Sequence, residues 1–395
     1  MSSILTRAST SLSEPSGGSY FPPSALPALT GLRFFAALGV VLYHFVNLPG
    51  LWPPVHALIA RGYLGVPFFF ILSGFVLGYN YFPAARAGRF QPREFWRARL
   101  ARLYPAYLLA LVLLYSAVRL QYSQKLSPGV FAGSGIVSLL MLQDWTPAWR
   151  DIWNTPGWTL SIEAFFYAVF PLLLGLRELG AGGERARIRH GKVALGILLA
   201  LGLMYLSWRL PAGAAAPAWA RWPWKYLPLF LLGLVLARAH ELGWPRGGRG
   251  WLGLGGAAAI MAIITVPGLC PAGQIDHACS MLFGAVVLGF ADTRAWISRA
   301  LGHPALEKLG EASYSLYILQ VPGWVRLDWY WHDAMHAGWL PARWGLHSPA
   351  FITVMLMTEI AASLAAYRWV ERPLRRWIRG WGKQNFQLRI NRSGT

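Results

Sequence analysis

Ten separate stretches of this chain are long and apolar enough to cross a lipid bilayer as helices, and they leave little room for any other architecture. They are Ala28–Leu48, Gly62–Phe82, Leu103–Gln121, Gly157–Leu176, His190–Arg209, Trp224–His240, Trp251–Pro267, His277–Ala291, Gly310–Leu327 and Ala350–Val370. A spanning helix needs about 20 mostly apolar residues, fewer where the bilayer thins. Hydrocarbon offers no partner to a peptide group, so each crossing must satisfy its own backbone. The expected fold is therefore all-α, a polytopic transmembrane helix bundle. Composition agrees. Charged residues make up 13% of the 395 residues, where a soluble domain carries about 25%. The 21 Trp fit the aromatic belts at the two membrane interfaces.

A formal charge of +20 raises the question of a nucleic-acid partner. The basic residues sit in short runs between apolar stretches instead of forming one soluble face, so positive-inside topology explains them and nucleic acid is excluded. Arg86, Arg89, Arg93, Arg97, Arg99 and Arg102 separate the second and third spans. Arg177, Arg185, Arg187, Arg189 and Lys192 separate the fourth and fifth, and a third run from Arg368 to Arg392 follows the last. Placing all three runs in the cytoplasm requires about ten spanning helices with both termini inside. An eleventh apolar segment, Val130–Gln143, would invert every later loop if it crossed. It is read as re-entrant or interfacial, buried in protein where irregular backbone is tolerated.

One transmembrane domain is expected over 28–379. A Ser-, Pro- and Gly-rich disordered cytoplasmic tail occupies 1–27 and a basic cytoplasmic tail 380–395. The tail at 1–27 has no apolar core of the kind a cleavable signal needs. Cys270 and Cys279 are the only cysteines, and a single bridge between them stays open. His332 and His336, with Asp328 and Asp333 nearby, lack a clear third ligand, so no metal site is expected.

Ionisable groups within a span cost several kcal/mol, about 2.5–3.5 at the centre, and are functional candidates by default. Arg33 and His44 share the first span. Eleven residues at about 100° each return to within about 20° of the same direction, with a rise of about 16 Å. Both side chains therefore share one face, at opposite depths. Glu163 lies about 9 Å into the fourth span from the end nearer His44. Similar depth on two helices of opposite direction suggests a facing pair, in which the carboxylate orients the imidazole for proton transfer. Arg99 and Arg102, three apart, share a helix face and offer two guanidinium forks to one phosphate cluster. Plainer readings stand beside these: Arg33 as a snorkelling anchor, His44 and Glu163 as a structural pair, Arg99 and Arg102 as topology charges.

At these residues the chain resembles the bacterial acyltransferase 3 family, integral-membrane enzymes that O-acylate surface glycans and other acceptors. The resemblance runs from about Leu26 to Arg379. It rests on Arg33 and His44 in an Arg-x10-His pattern, and on the apolar second span Gly65–Phe75 with its Ser73-Gly74-Phe75 ending. Arg99-x-x-Arg102 before Leu103-Tyr104-Pro105, Trp158-Thr159-Leu160-Ser161-Ile162-Glu163, and Ser313-Tyr314-Ser315-Leu316-Tyr317 complete it in order. Two departures matter. The family often has His where Gln320 stands, and a second acidic residue at Ala164. Many relatives also end in a soluble SGNH hydrolase-like domain, which is not expected here.

The resemblance implies a multi-pass protein of the bacterial inner membrane. It implies an acyl-coenzyme A co-substrate, acetyl-CoA foremost, with no permanently bound cofactor. The acceptor it implies is a hydroxyl of an extracytoplasmic or lipid-linked glycan. His44 and Glu163 would be catalytic, with Arg33, Arg99 and Arg102 toward the donor. Trp158, Ser161, Tyr314, Tyr317 and Gln320 would be further substrate contacts. Direct transfer and an acyl-histidine intermediate both remain open. Alternatives are acylation of a small metabolite or lipid, and, from another class, a transporter or flippase, since buried charges among many spans also describe carriers.

Overall fold

The computed structural model describes residues 26–45, 51–122, 125–179, 186–210, 217, 222–292, 295–341, 344–345 and 348–380. The tails expected at 1–27 and 380–395 fall almost wholly outside these residues. Helices account for the ordered structure, with no strand among the described residues. In chain order they are α1 (Pro27–Phe45), α2 (Pro53–Ala60), α3 (Gly65–Arg86), α4 (Pro92–Tyr122), α5 (Pro128–Leu139), α6 (Trp158–Val169) and α7 (Ala186–Trp208). There follow α8 (Leu227–Glu241), α9 (Arg249–Thr265), α10 (Ile275–Phe290), α11 (Trp296–Leu301), α12 (Pro304–Glu311), α13 (Ser313–His336) and α14 (Pro349–Ala366).

Each of the ten expected spans coincides with a helix. Seven described helices are long and apolar enough to cross a membrane by length and composition: Pro27–His44, Gly62–Arg86, Pro92–Tyr122, Thr155–Glu178, Arg187–Trp208, Ala272–Phe290 and Pro349–Gly380. Of the other three, α8 and α9 have 15 and 17 residues. The third, α13, carries Arg326, Asp328 and Asp333 in its second half. An outer loop was expected from Asp328 onward. Instead α13 continues to His336, because nothing between Leu327 and His336 breaks a helix and Gly338, at φ 73°, is the first residue that turns the chain.

Direction along the bundle bears on the eleventh segment. Arg86, at the end of α3, donates to the carbonyl of Arg177 at 3.4 Å and pairs with Glu241 at the end of α8. The basic runs after α3 and after α6 thus share one end. Between them α4 leads away and α6 returns, so no further crossing fits. At 12 residues, α5 rises about 18 Å, short of the roughly 30 Å hydrocarbon core. It buries Ser134 and Ser138 and leaves Ile136 and Leu139 exposed. Tyr107 holds it by donating to the Ser138 carbonyl at 2.8 Å.

In lipid, helix association relies on close van der Waals approach. A close crossing joins α3 to α8, where Gly74 and Gly233 face each other's backbones. A Cβ at Gly74 would collide with the Phe230 carbonyl, and one at Gly233 with that of Ile71. Beside this crossing Phe166 stacks on Phe230 at 4.6 Å, which ties α6 to α8. A similar contact joins α13 to α14, where Gly323 makes room for the Glu359 carboxylate. Glu359 is 2% exposed, and among the described residues neither of its oxygens has a hydrogen-bond partner. Cys270 and Cys279 are both free thiols.

Candidate active site

A cavity of about 420 Å³ opens between α1, α3, α4, α6, α13 and the end of the Pro349–Gly380 helix. Its wall gathers Arg33 from α1, Arg99 and Arg102 from α4, Glu163 from α6, and Tyr314 and Tyr317 from α13. Six residues singled out in the sequence, far apart along the chain, therefore meet. His44, Gln320, Ser161 and Trp158 do not line the cavity.

The polar end is held by aromatic rings. Arg99 donates to the Tyr81 hydroxyl at 3.2 Å, and its guanidinium lies 5.5–5.8 Å from the rings of Tyr81, Phe95 and Tyr167. Tyr167, one turn after Glu163, donates its hydroxyl to the Glu163 carboxylate. Tyr314 donates to the Leu103 carbonyl at 2.6 Å and so locks α13 against α4 beside the arginines. The Tyr317 and Thr159 hydroxyls share a hydrogen bond of 3.1 Å.

His44 lies past this wall, at the accessible end of α1. Its Nδ1 is 3.1 Å from Gln320 Oε1, while Gln320 Nε2 donates to the Tyr317 carbonyl at 2.6 Å. That second bond fixes the amide. Its nitrogen must face the carbonyl, so its oxygen faces the imidazole, and an oxygen can only accept. Toward Gln320 the ring therefore donates from Nδ1, which leaves Nε2 as the nitrogen able to act as a base, with the Val40 backbone as a further partner of the ring.

The sequence paired His44 with Glu163, and the structure does not. Glu163 is drawn to the cavity among Arg33, Arg102 and Tyr167. The orienting partner of the imidazole is instead the uncharged Gln320, which is fully buried. Ser161 Oγ accepts from the Asp144 amide at 3.2 Å and anchors the loop before α6. Trp158 packs under Arg150, 4.2 Å from its guanidinium, and against Tyr226. Both build the wall behind the site.

Three functional-looking residues escaped the sequence reading. Arg375 and Arg379 also line the cavity, and Glu371 lies 1% exposed beside them, accepting from the Ser315 hydroxyl at 2.9 Å. A π-turn over Tyr367–Glu371 re-phases the helix and turns these residues inward, a geometry frequent at functional sites. Their only signal was the four-residue spacing within a basic run that topology already explained.

Asp144 lies outside the spans, 1% exposed, with Arg150 Nε 2.9 Å from one carboxylate oxygen. Burial pushes its carboxyl up to about 7, Arg150 pulls the other way, and Asp151 adds a smaller push upward. A carboxyl raised above its unfolded value holds its proton in the folded state where the unfolded chain has lost it. Its contribution to stability is thus full below about pH 4 and is lost as pH rises through 7. Asp144→Asn, neutral at every pH, should remove this slope. Thermal midpoints in detergent at pH 5 and pH 8 should differ less in the variant than in the unaltered protein, and equal differences would refute the shift.

Charges gathered around a cavity within an apolar helix bundle, with an imidazole on α1 beyond the cavity wall, describe a membrane protein with a polar interior site. The chain belongs to the acyltransferase 3 family: the family's Acyltransferase domain matches residues 26–368. It is an integral-membrane, multi-pass acyltransferase. Among characterised proteins it is 31% identical over 319 residues to Acyltransferase MdmB of Streptomyces mycarofaciens, covering 74% of this chain and 78% of that one. It is 25% identical over 386 residues to O-acetyltransferase OatA of Staphylococcus aureus, covering 90% of this chain but only 58% of the relative. A shorter match, 32% over 162 residues, joins it to the putative peptidoglycan O-acetyltransferase YrhL of Bacillus subtilis, with 38% and 24% covered. No solved structure matches.

Proposed function

We propose that the protein moves an acyl group, acetyl foremost, from coenzyme A in the cytoplasm to a hydroxyl of an extracytoplasmic or lipid-linked glycan, across the bacterial inner membrane. The observation that carries this reading is the polarity of the site. Guanidinium groups crowd one end of the cavity, and an oriented imidazole stands beyond its other end. The arginine end coincides with the basic runs, which positive-inside bias places in the cytoplasm. Arg33 and His44 are about 16 Å apart along α1. An extended pantetheine arm, on the order of 15–20 Å, spans that interval. The names of two relatives, both O-acetyltransferases and one of peptidoglycan, favour acetyl and a glycan.

In this reading Arg99 and Arg102 hold the donor phosphates and Arg33 guards the mouth. Nε2 of His44 takes the proton of the acceptor hydroxyl as its oxygen attacks the thioester carbonyl. The new C–O bond forms, the C–S bond breaks, and the thiolate leaves and takes up a proton. Gln320 keeps the imidazole in the productive tautomer throughout. Glu163, held by Tyr167, balances the guanidinium charge.

The test is loss of a mass increment. Surface glycan from cells lacking the protein should be lighter by about 42 daltons per missing acetyl group, the mass difference between an acetyl group and the hydrogen it replaces. Purified protein should release free coenzyme A from acetyl-CoA only when acceptor is supplied. Identical glycans with and without the protein, and no acceptor-dependent release, would overturn the reading and favour a carrier.

A further inference from the structure

The cavity holds more positive charge than its protein partners neutralise. Arg99, Arg102, Arg375 and Arg379 lie close enough that each feels the charge of at least two others. Among the described residues none of the four forms an ion pair within 4.0 Å. The Nε groups of Arg99 and Arg379 are buried without any acceptor. Carboxylates are fewer than guanidinium groups here: Glu163, Glu307 and Glu311 line the cavity and Glu371 lies beside it, against Arg33 and these four arginines. Four guanidinium groups turned on one space, with N–H groups unspent, are the arrangement a multiply charged phosphate satisfies.

Two elements supply this cluster. Arg99 and Arg102 come from the start of α4, and Arg375 and Arg379 from helical residues 372–380 beyond the π-turn. Arg372 and Arg376, on the same short helix, are exposed and stay outside the cavity. The inward pair is thus separated from ordinary topology charges by its direction.

We propose that Arg375 and Arg379, together with Arg99, form a polyphosphate-binding position on the cavity, and that this position makes the enzyme discriminate donors by their phosphate groups. The discrimination among donors rests on the coenzyme A reading above; the phosphate chemistry does not. The same chemistry is offered by an anionic lipid headgroup, so the test separates the two sources.

The experiment measures binding to the full-length protein in detergent and in nanodiscs, using coenzyme A, dephospho-coenzyme A (which lacks the 3′-phosphate) and inorganic tripolyphosphate. The unaltered protein should prefer coenzyme A to dephospho-coenzyme A, and tripolyphosphate should compete with both. R375A/R379A should weaken coenzyme A at least tenfold and bring the two coenzymes to equal affinity. R375K/R379K, which keeps charge but loses the fork, should fall between, while R372A/R376A should bind as the unaltered protein does. Unchanged affinity and unchanged preference in R375A/R379A would overturn the proposal. So would equal losses in the inward and outward pairs, which would mark a diffuse charge effect. If no form binds coenzyme A, yet tripolyphosphate raises the thermal midpoint of the unaltered protein and not of R375A/R379A, the donor reading fails while the phosphate position stands. If anionic lipid alone protects the protein and tripolyphosphate cannot displace it, the position belongs to a headgroup and the proposal falls.

Discussion

His44→Ala is expected to lower the rate of acyl transfer by about 10²–10⁴-fold, the range that removal of a positioned general base gives, while expression and membrane insertion stay intact. The loss should fall on kcat. Arg33 sits about 16 Å away along α1 and Arg99 and Arg102 lie on α4, so the donor-addressing arginines keep their geometry and KM for acetyl-CoA should move little. Structural damage is expected to be small because His44 lies near the end of its helix and is not among the buried core residues. Gln320→Leu supplies the companion measurement. It keeps the imidazole and its Val40 backbone contact but removes the Gln320 oxygen that accepts from Nδ1, so kcat should fall by less than in His44→Ala. Single-turnover assays with labelled acetyl-CoA separate the steps. Turnover of His44→Ala within threefold of the unaltered enzyme would remove His44 from the chemistry.

Much of this architecture was legible because lipid imposes a simple rule on sequence. Runs of about 20 apolar residues must be helices, and basic loops must share a side. Those two constraints located a helix at every expected span. They are silent about which face of a helix looks inward. Residue spacing placed Arg33, Arg99, Arg102, Glu163, Tyr314 and Tyr317 on their helices, and the cavity unites them. Depth alone, however, could not pair His44 with a partner. Rise per residue fixes height, whereas partner choice depends on rotation and on the neighbouring helix, and there Gln320 faced the imidazole. Glu371, Arg375 and Arg379 were hidden for a related reason. A regular helix extrapolated through Tyr367–Glu371 points them differently from the π-turn that forms. Glu359 went unnoticed in an apolar run, although burial of its carboxylate without partners makes it the costliest polar group in α14.

Removing the carboxylate of Glu371 should be among the most damaging single changes in the molecule. Glu371 is 1% exposed and lies within electrostatic reach of Arg33, Arg102 and Arg375, with the Ser315 hydroxyl on one oxygen. Its carboxylate, with Glu163, Glu307 and Glu311 on the cavity wall, offsets the charge of those guanidinium groups. Taking away one member of a buried charge group leaves the others uncompensated, at a cost of about 3–5 kcal/mol. Glu371→Ala should accordingly lower the thermal midpoint in detergent by roughly 5–15 °C. Glu371→Gln keeps an acceptor for Ser315 but loses the charge, and should recover only the part due to the hydrogen bond, about 1 kcal/mol. The electrostatic origin makes a second, opposite expectation. A bound polyanion replaces the missing charge, so tripolyphosphate should stabilise Glu371→Ala by more degrees than it stabilises the unaltered protein. A core-packing defect would predict equal stabilisation of the two, and that result would show that Glu371 holds the fold by its shape instead of its charge.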